Sequence, residues 1–341
     1  MVPALAVADE LRAEGADVVF VGGERAEAEL VPAAGYELRV LRVTALPRGG
    51  SFGAAARAIT IDTAAVARAL ALIGELRPSA VLGAGGYVGG PISLAAVVRR
   101  VPLVLAEADS HLGLTNRLLA PFARSVCLAF PIAGRSGRRY HVTGRPVPSP
   151  ATDRAEARRR FGIAGDDTCV LVFGGSQGAR SINAAALEAF KGARFRVLHA
   201  AGAGNVDELQ SPGAHYDLRG YIVEFGEALA ASDLVVGRAG GSVFEIAAHG
   251  RPAILIPYPY ATADHQSANA AFMERGGAAI VIPDAELSGA RLAQEVGGLL
   301  ADRSRLEAMA RASAALARTD AAGAIAHEVL SAARHGGRWP H

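Results

Sequence analysis

Three segments in the second half of the chain have the residue types and spacing to hold an anionic, hydroxyl-rich ligand. The first is VLVFGGSQGARSINAA (170–185), where an apolar run enters Gly174-Gly175-Ser176-Gln177-Gly178 and continues as a helical pattern. Glycines let a backbone approach a ligand closely. The free N–H groups and dipole of a helix N-terminus attract phosphate, worth about 0.3–1 kcal/mol and up to ~2 when partly buried. Ser176 and Gln177 can add side-chain hydrogen bonds. The pattern is neither GxGxxG nor a Walker loop, which disfavours nicotinamide cofactors and ordinary P-loop chemistry. The plain alternative is an unliganded strand-to-helix turn.

The second segment is VVGRAGGSVFEIAAHGRPAILIP (235–257). A strand pattern again ends in glycines, Gly240-Gly241, and a helix follows. Ser242 and Glu245 have the spacing of a capping box. Glu245 equally suits two vicinal hydroxyls of a ribose, as acidic residues do in dinucleotide sites. The third segment is YPYATADHQSANAAFMERGG (258–277), where Asp264, His265, Gln266 and Asn269 gather at a helix start. They read either as a cap by Asp264 with solvated neighbours or as polar contacts to a sugar.

In the first half, GAGGYVGGPISLAA (83–96) and AEADSHLGLTNRLLA (106–120) follow strand patterns. Ligands of open α/β sheets sit beyond the carboxyl ends of strands. Glu107, Asp109, His111, Thr115 and Asn116 are therefore candidates for a site, with Asp109 or Glu107 available as a base if burial raises its pKa. The alternative is a polar loop in which Thr115 or Asn116 caps the next helix. HExxH and a DxD pair for a metal-bound diphosphate are missing from the sequence, so a nucleotide-sugar reaction here would run without a metal.

The elements that position these segments are apolar runs without alternation, the mark of strands covered on both faces. They fall at 17–22, 37–43, 80–85, 102–107, 125–130, 169–174, 195–200, 233–238, 252–257 and 278–283, with helical patterns between them. Such alternation predicts parallel sheets built from right-handed crossovers. Pro146, Pro148 and Pro150 in GRPVPSPATD (144–153) mark a linker. The spacing predicts domains over 1–145 and 146–318, and a closing helix over 319–341. Helical patterns alone fill the end of the chain from about Asp302. At 341 residues, two domains of roughly 100–200 residues are expected.

With 51% hydrophobic and 20% charged residues the chain is globular, not disordered, and a net charge of +2 gives no bulk attraction to nucleic acid. Cys127 and Cys169 stand singly in apolar runs and read as buried strand residues, which excludes a disulfide framework. The twenty uncharged residues from Ser79 to Val98 are interrupted by five glycines and Pro91 and read as strand, glycine loop and helix start, not as a membrane span. The chain opens directly on a helical pattern, whereas a doubly wound domain opens on a strand and a glycine turn. The expectation is a reading frame that continues upstream of Met1 into a hydrophobic strand and a GGxxGH-like turn.

In order, PALAVADELRAEG, GAGGYVGGP, GLTNRLLAPFA, GGSQGARSIN, RAGGSVFEIAAHGRPAILIPYP and DHQSANA resemble the MurG family of N-acetylglucosaminyltransferases over nearly the whole chain. The resemblance implies two Rossmann-like parallel-sheet domains facing a cleft, the B-type glycosyltransferase fold. It implies metal- and cofactor-free transfer of GlcNAc from UDP-GlcNAc to the muramyl 4-hydroxyl of undecaprenyl-pyrophosphoryl-MurNAc-pentapeptide (lipid I), with inversion. It places the protein peripherally on the cytoplasmic face of the membrane, with no nucleic-acid partner.

It further implies that Ser176 and Gln177 contact the nucleotide sugar and that Gly241, Ser242, Val243 and Phe244 line the uracil and diphosphate. Glu245 falls on the ribose, Gln266 on the GlcNAc hydroxyls, and Asn269 in the same binding set. The family's candidate base histidine precedes the position of Met1. Asp109 stands where the family has an asparagine, Pro148 where it has an arginine, and the RAGG turn is one residue shorter. A nucleotide-sugar 2-epimerase, a transferase with another acceptor, and a non-catalytic nucleotide-sugar binder share this fold and remain alternatives. LLAPFARSV with Arg117 and Arg124 is a candidate membrane-facing patch, or else a buried helix with capping arginines.

Overall fold

The computed structural model describes residues 2–24, 26–43, 63–175, 178–261 and 264–335. It divides into two compact units, Met1–Val147 with Thr319–His341, and Pro148–Arg318.

In the first unit, α1 (Val2–Ala13), β1 (Val19–Gly22), α2 (Ala26–Ala33) and β2 (Glu37–Val40) precede α3 (Thr63–Leu76), β3 (Val81–Gly83), α4 (Gly86–Val98), β4 (Leu103–Glu107), α5 (Leu114–Leu119), β5 (Ser125–Leu128) and β6 (Tyr140–Val142). All strand pairs are parallel: β1 with β2, and β3-β4-β5-β6 as a four-stranded sheet. The glycine-rich stretch after β3 is helical already from Gly86, earlier than its composition suggests. Ile92, Ala95 and Ala96 are buried on this helix, and such packing outweighs poor intrinsic propensity.

The second unit holds α6 (Arg154–Arg160), β7 (Cys169–Phe173), α7 (Arg180–Ala189), β8 (Arg196–Ala200), β9 (Tyr216–Arg219), α8 (Phe225–Ala231), β10 (Leu234–Gly237), α9 (Ser242–Ala248), β11 (Ala253–Leu255), α10 (His265–Arg275), β12 (Ala279–Val281), α11 (Gly289–Ala301) and α12 (Arg303–Leu316). Its six strands are parallel in the order β12-β11-β10-β7-β8-β9. Counted within the unit, that is the doubly wound order 3-2-1-4-5-6. β7 and β10 lie side by side, with Leu234 to Gly237 in register with Val170 to Phe173. Their side chains, among them Val170, Val172, Leu234 and Val236, form the centre of the core. Each fully buried Val or Leu contributes about 1.5–3 kcal/mol.

The last helix, α13 (Ala321–Arg334), returns to the first unit. Its Ile325, Ala326, Val329 and Ala332 pack with Val7 and Leu11 of α1, Val104 of β4 and Cys127 of β5. Both cysteines are buried, and burial raises each thiol to about 12.

All ten apolar runs named above contain a strand, trimmed at the ends; the run at 37–43, for example, is strand only over Glu37–Val40. The strands β6 and β9 carry no apolar run. Both are sheet edges, and their sequences, Tyr-His-Val and Tyr-Asp-Leu-Arg, are half polar because one side meets solvent.

Candidate functional site

In a doubly wound sheet the ligand crevice opens where the strand order reverses, beyond the carboxyl ends of the two central strands. Here those strands are β7 and β10, and the segments that follow them are the two glycine turns. Gly237, the last residue of β10, faces Phe173 across the ladder, and a Cβ there would lie 2.6 Å from its ring. Absence of a side chain lets the aromatic ring fill the point of reversal.

The turn after β7 folds tightly back on itself. A Cβ on Gly174 would lie 2.2 Å from the Ala179 nitrogen, and Gly178 sits at φ +73° with its Cβ position 2.0 Å from the Ala201 carbonyl oxygen. Ser176 and Gln177 lie outside the described residues. Helix α7 begins at Arg180 with Ala179 as its N-cap and no side-chain capping bond. Its first N–H groups therefore keep the open, positive end that suits an anion.

A buried network supports this turn from below. Asn183 donates to the Ala201 carbonyl at 2.9 Å and contacts His199 Nε2 through its Oδ1 at 3.1 Å, while His199 Nδ1 meets the Tyr216 hydroxyl at 2.7 Å. Burial pushes the His199 imidazole down to about 4, so it is neutral near pH 7.

The turn after β10 departs from the capping box that its spacing suggests. Gly241 is the N-cap of α9, Ser242 is already helical, and no side chain caps the helix. The reason is local: the N–H groups of Val243 and Phe244 close tight turns onto the carbonyls of Gly240 and Gly241, 3.3 Å each, and so wind the chain one residue early. Val243 and Phe244 have buried side chains, so backbone is all they can offer a ligand. Glu245 stands half-buried in the first turn.

Helix α10 approaches the same turn. Asn269, 3% exposed, donates to the Ala239 carbonyl at 3.0 Å, while its Oδ1 is buried without a partner. Gln266 accepts from the Tyr258 N–H at 3.0 Å through Oε1, and its Nε2 lies 4.0 Å from the Cβ position of Gly240. The amide is thus fixed with its donor end towards the turn. Asp264 occupies the N-cap of α10 at φ +54° but does not cap; it accepts from the Ser267 hydroxyl at 2.6 Å. A left-handed non-glycine residue of this kind is strained by about 1–3 kcal/mol and is typical of functional loops.

The first unit carries a separate polar cluster at the end of β4. Glu107, 8% exposed, accepts from the Asp109 N–H at 3.2 Å, the Gly113 N–H at 2.8 Å and Asn116 Nδ2 at 3.0 Å. Gly113, not Thr115 or Asn116, is the N-cap of α5. Asn116 is instead buried and ties Glu107 to the Ala106 carbonyl, 3.2 Å away. Asp109 and His111 are half-buried on the loop that these bonds close.

The sequence pattern missed the residues that join the pieces of the second unit, chiefly Arg238. It sits directly after β10 and meets Asp284, 46 residues downstream. The available signal was a lone cation between a buried strand and a glycine turn, which must find a carboxylate.

Two family models match the chain: the glycosyltransferase family 28 N-terminal domain over residues 1–128, and its C-terminal domain over residues 169–325. Among curated proteins, the UDP-N-acetylglucosamine--N-acetylmuramyl-(pentapeptide) pyrophosphoryl-undecaprenol N-acetylglucosamine transferase of Moorella thermoacetica is 38% identical over 98% of this chain and 96% of its own. The transferase of the same name from Rubrobacter xylanophilus is 40% identical over 97% and 99%. The chain belongs to the MurG family. The crystal structure of Acinetobacter baumannii MurG matches with a TM-score of 0.78 and 28% identity, over 96% of this chain and 95% of that one. The two parallel α/β units are thus the two domains of a B-type glycosyltransferase, and the family is one of UDP-GlcNAc-dependent N-acetylglucosaminyltransferases. The glycine turns at the β7/β10 reversal lie at the start and in the middle of the family 28 C-terminal match.

Proposed function

We propose that this protein transfers GlcNAc from UDP-GlcNAc to the muramyl 4-hydroxyl of lipid I, giving lipid II and UDP. The observation that carries this reading is the pair of glycine turns side by side at the strand-order reversal of a family 28 C-terminal domain. The hydroxyl oxygen attacks C1 from the face opposite the diphosphate, the C1–O bond to UDP breaks, and the hydroxyl proton passes to a base. Open helix tips stabilise the departing diphosphate charge.

In this reading Ser176 contacts the nucleotide sugar, Gly241 and Ser242 line the uracil and diphosphate, and Glu245 accepts from the ribose hydroxyls. Val243 and Phe244 contribute backbone alone. Gln266, its oxygen held by Tyr258, donates Nε2 to a GlcNAc hydroxyl, and Asn269 fixes the turn. Of the two carboxylates at β4, Asp109 is the base this geometry favours, because the oxygens of Glu107 are committed to three N–H donors.

The test is incubation of the protein with UDP-GlcNAc and a lipid I analogue. Lipid II and UDP are expected, and Glu245→Ala is expected to weaken UDP binding by about 1.5–3 kcal/mol, the range for hydrogen bonds to a charged group. Epimerised UDP-sugar without transfer, or an unchanged affinity in the folded variant, contradicts the assignment.

The acceptor is a membrane lipid, and among the described residues no helix is long and apolar enough to cross a membrane. The face Leu114, Leu118 and Phe122, one helical turn apart along α5 and the turn beyond it, is exposed, Leu118 at 60%. Arg117 and Arg124, both exposed, flank it. An apolar stripe with basic neighbours suits an anionic lipid surface. Co-sedimentation with phosphatidylglycerol vesicles is expected to fall for Leu118→Glu and on raising salt. Equal binding by variant and parent would rule this face out.

A further inference from the structure

Arg238 is 8% exposed, yet its guanidinium reaches three separate stretches of the second unit. Nη1 meets the Asp284 carboxylate and the carbonyls of Ile256 and Pro257, 3.2 and 3.3 Å away. Nη2 donates to the Ser181 hydroxyl at 3.0 Å, and Ser181 donates in turn to Asp284 at 2.8 Å. The Tyr258 ring centroid lies 5.4 Å from Cζ. Ser181 is in the first turn of α7, directly after the 174–178 turn. Ile256 to Tyr258 begin the loop to α10, which carries Gln266, and Asp284 follows β12. Arg238 itself opens the turn to α9, whose Ala239 carbonyl is held from the other side by Asn269.

A buried ion pair seldom adds stability over apolar residues of equal size, because desolvation offsets the Coulomb attraction. Geometry is what a planar five-donor fork supplies: several acceptors in different directions held at once, which a lysine ammonium cannot match. With Asp284 and two carbonyls around it, the guanidinium is matched inside the fold and is not open to a ligand.

We propose that Arg238 is a positioning residue that holds the two glycine turns in register, so that both engage one donor diphosphate. It acts through Ser181 and Asp284. This rests on reading the site as the UDP-GlcNAc pocket, and it adds a residue to that reading which touches neither sugar nor phosphate.

Two variants test it. Arg238→Lys keeps a cation beside Asp284 but cannot also reach Ser181 and the carbonyls. Ser181→Ala removes one strut and should fold even if the first variant does not. Amide hydrogen exchange is expected to quicken in both variants at 180–184 and at 239–243 together. The KM for UDP-GlcNAc is expected to rise about tenfold in Arg238→Lys (about 1.4 kcal/mol), with the KM for lipid I unchanged. The double variant should be little worse than Arg238→Lys alone, since both break one network. Faster exchange confined to the mutated residue's own turn, or a donor KM within about twofold of the parent, overturns the proposal. Failure of the parent protein to bind UDP would instead strike the pocket reading, and the exchange comparison would still decide the clamp.

Discussion

Alanine at position 178 is expected to abolish donor binding and to destabilise the second unit by about 3 kcal/mol or more. Its Cβ would stand 2.0 Å from the Ala201 carbonyl oxygen and 2.6 Å from Asn205 Nδ2. That carbonyl already accepts from Asn183 at 2.9 Å and from Asn205 at 3.1 Å. Relieving the clash at the β8 end loses both bonds at about 1 kcal/mol each, and relieving it at the glycine turn displaces the turn itself. The left-handed backbone at φ +73° adds about 1–2 kcal/mol for any residue with a Cβ. Gly175→Ala separates the two causes: its φ is +88°, but nothing lies within 4 Å of its Cβ position, so it should show the backbone penalty alone. Gly165→Ala, with neither constraint, should be neutral. Urea unfolding and UDP titration of the three variants make the comparison. A Gly178→Ala protein within about 0.5 kcal/mol of the parent would show that the turn is looser than its geometry implies.

Glu107→Ala should be nearly as costly, and for a reason unrelated to proton transfer. It removes the carboxylate acceptor of the Asp109 N–H, the Gly113 N–H and Asn116 Nδ2, of which only Asn116 Nδ2 keeps another, the Ala106 carbonyl at 3.2 Å. An orphaned buried donor costs about 1–3 kcal/mol; with Gly113 exposed and Asp109 half-buried, water meets part of the need, and a loss of about 2 kcal/mol is expected. Thermal stability and the acceptor KM should worsen together, and protease should cut at 108–113. Glu107→Gln should be milder, since one acceptor oxygen survives. If Glu107 were instead the base, Glu107→Gln would lower kcat by about 10²–10⁴ with stability intact. That outcome is expected of Asp109→Asn. The pair of variants therefore assigns the two carboxylates by which quantity each one moves.

Central strands and both glycine turns were legible in the sequence, because each carries its signal locally. A fully buried parallel strand needs a continuous apolar run, and Cys169–Phe173 could be little else. The edge strand Tyr216–Arg219 has no such signature, since half of it faces water. Ser242 and Glu245 had capping-box spacing, yet helix α9 starts one residue earlier, on turn geometry that spacing does not encode. Asn116 read as a helix cap and is a buried strut to Glu107. Arg238, Ser181 and Asp284 are far apart in sequence and meet only once the sheet is built. Long-range polar partners have no periodicity to betray them.

Helix α13 belongs to the first unit although the whole second unit is translated before it. Half of the cluster around Val104 and Cys127 comes from that helix. On the ribosome, therefore, the leading part of the chain waits with one apolar face uncovered while the trailing part gains everything its own core requires. The usual order of vectorial folding, first made and first finished, is reversed because α13 follows the second unit in the chain.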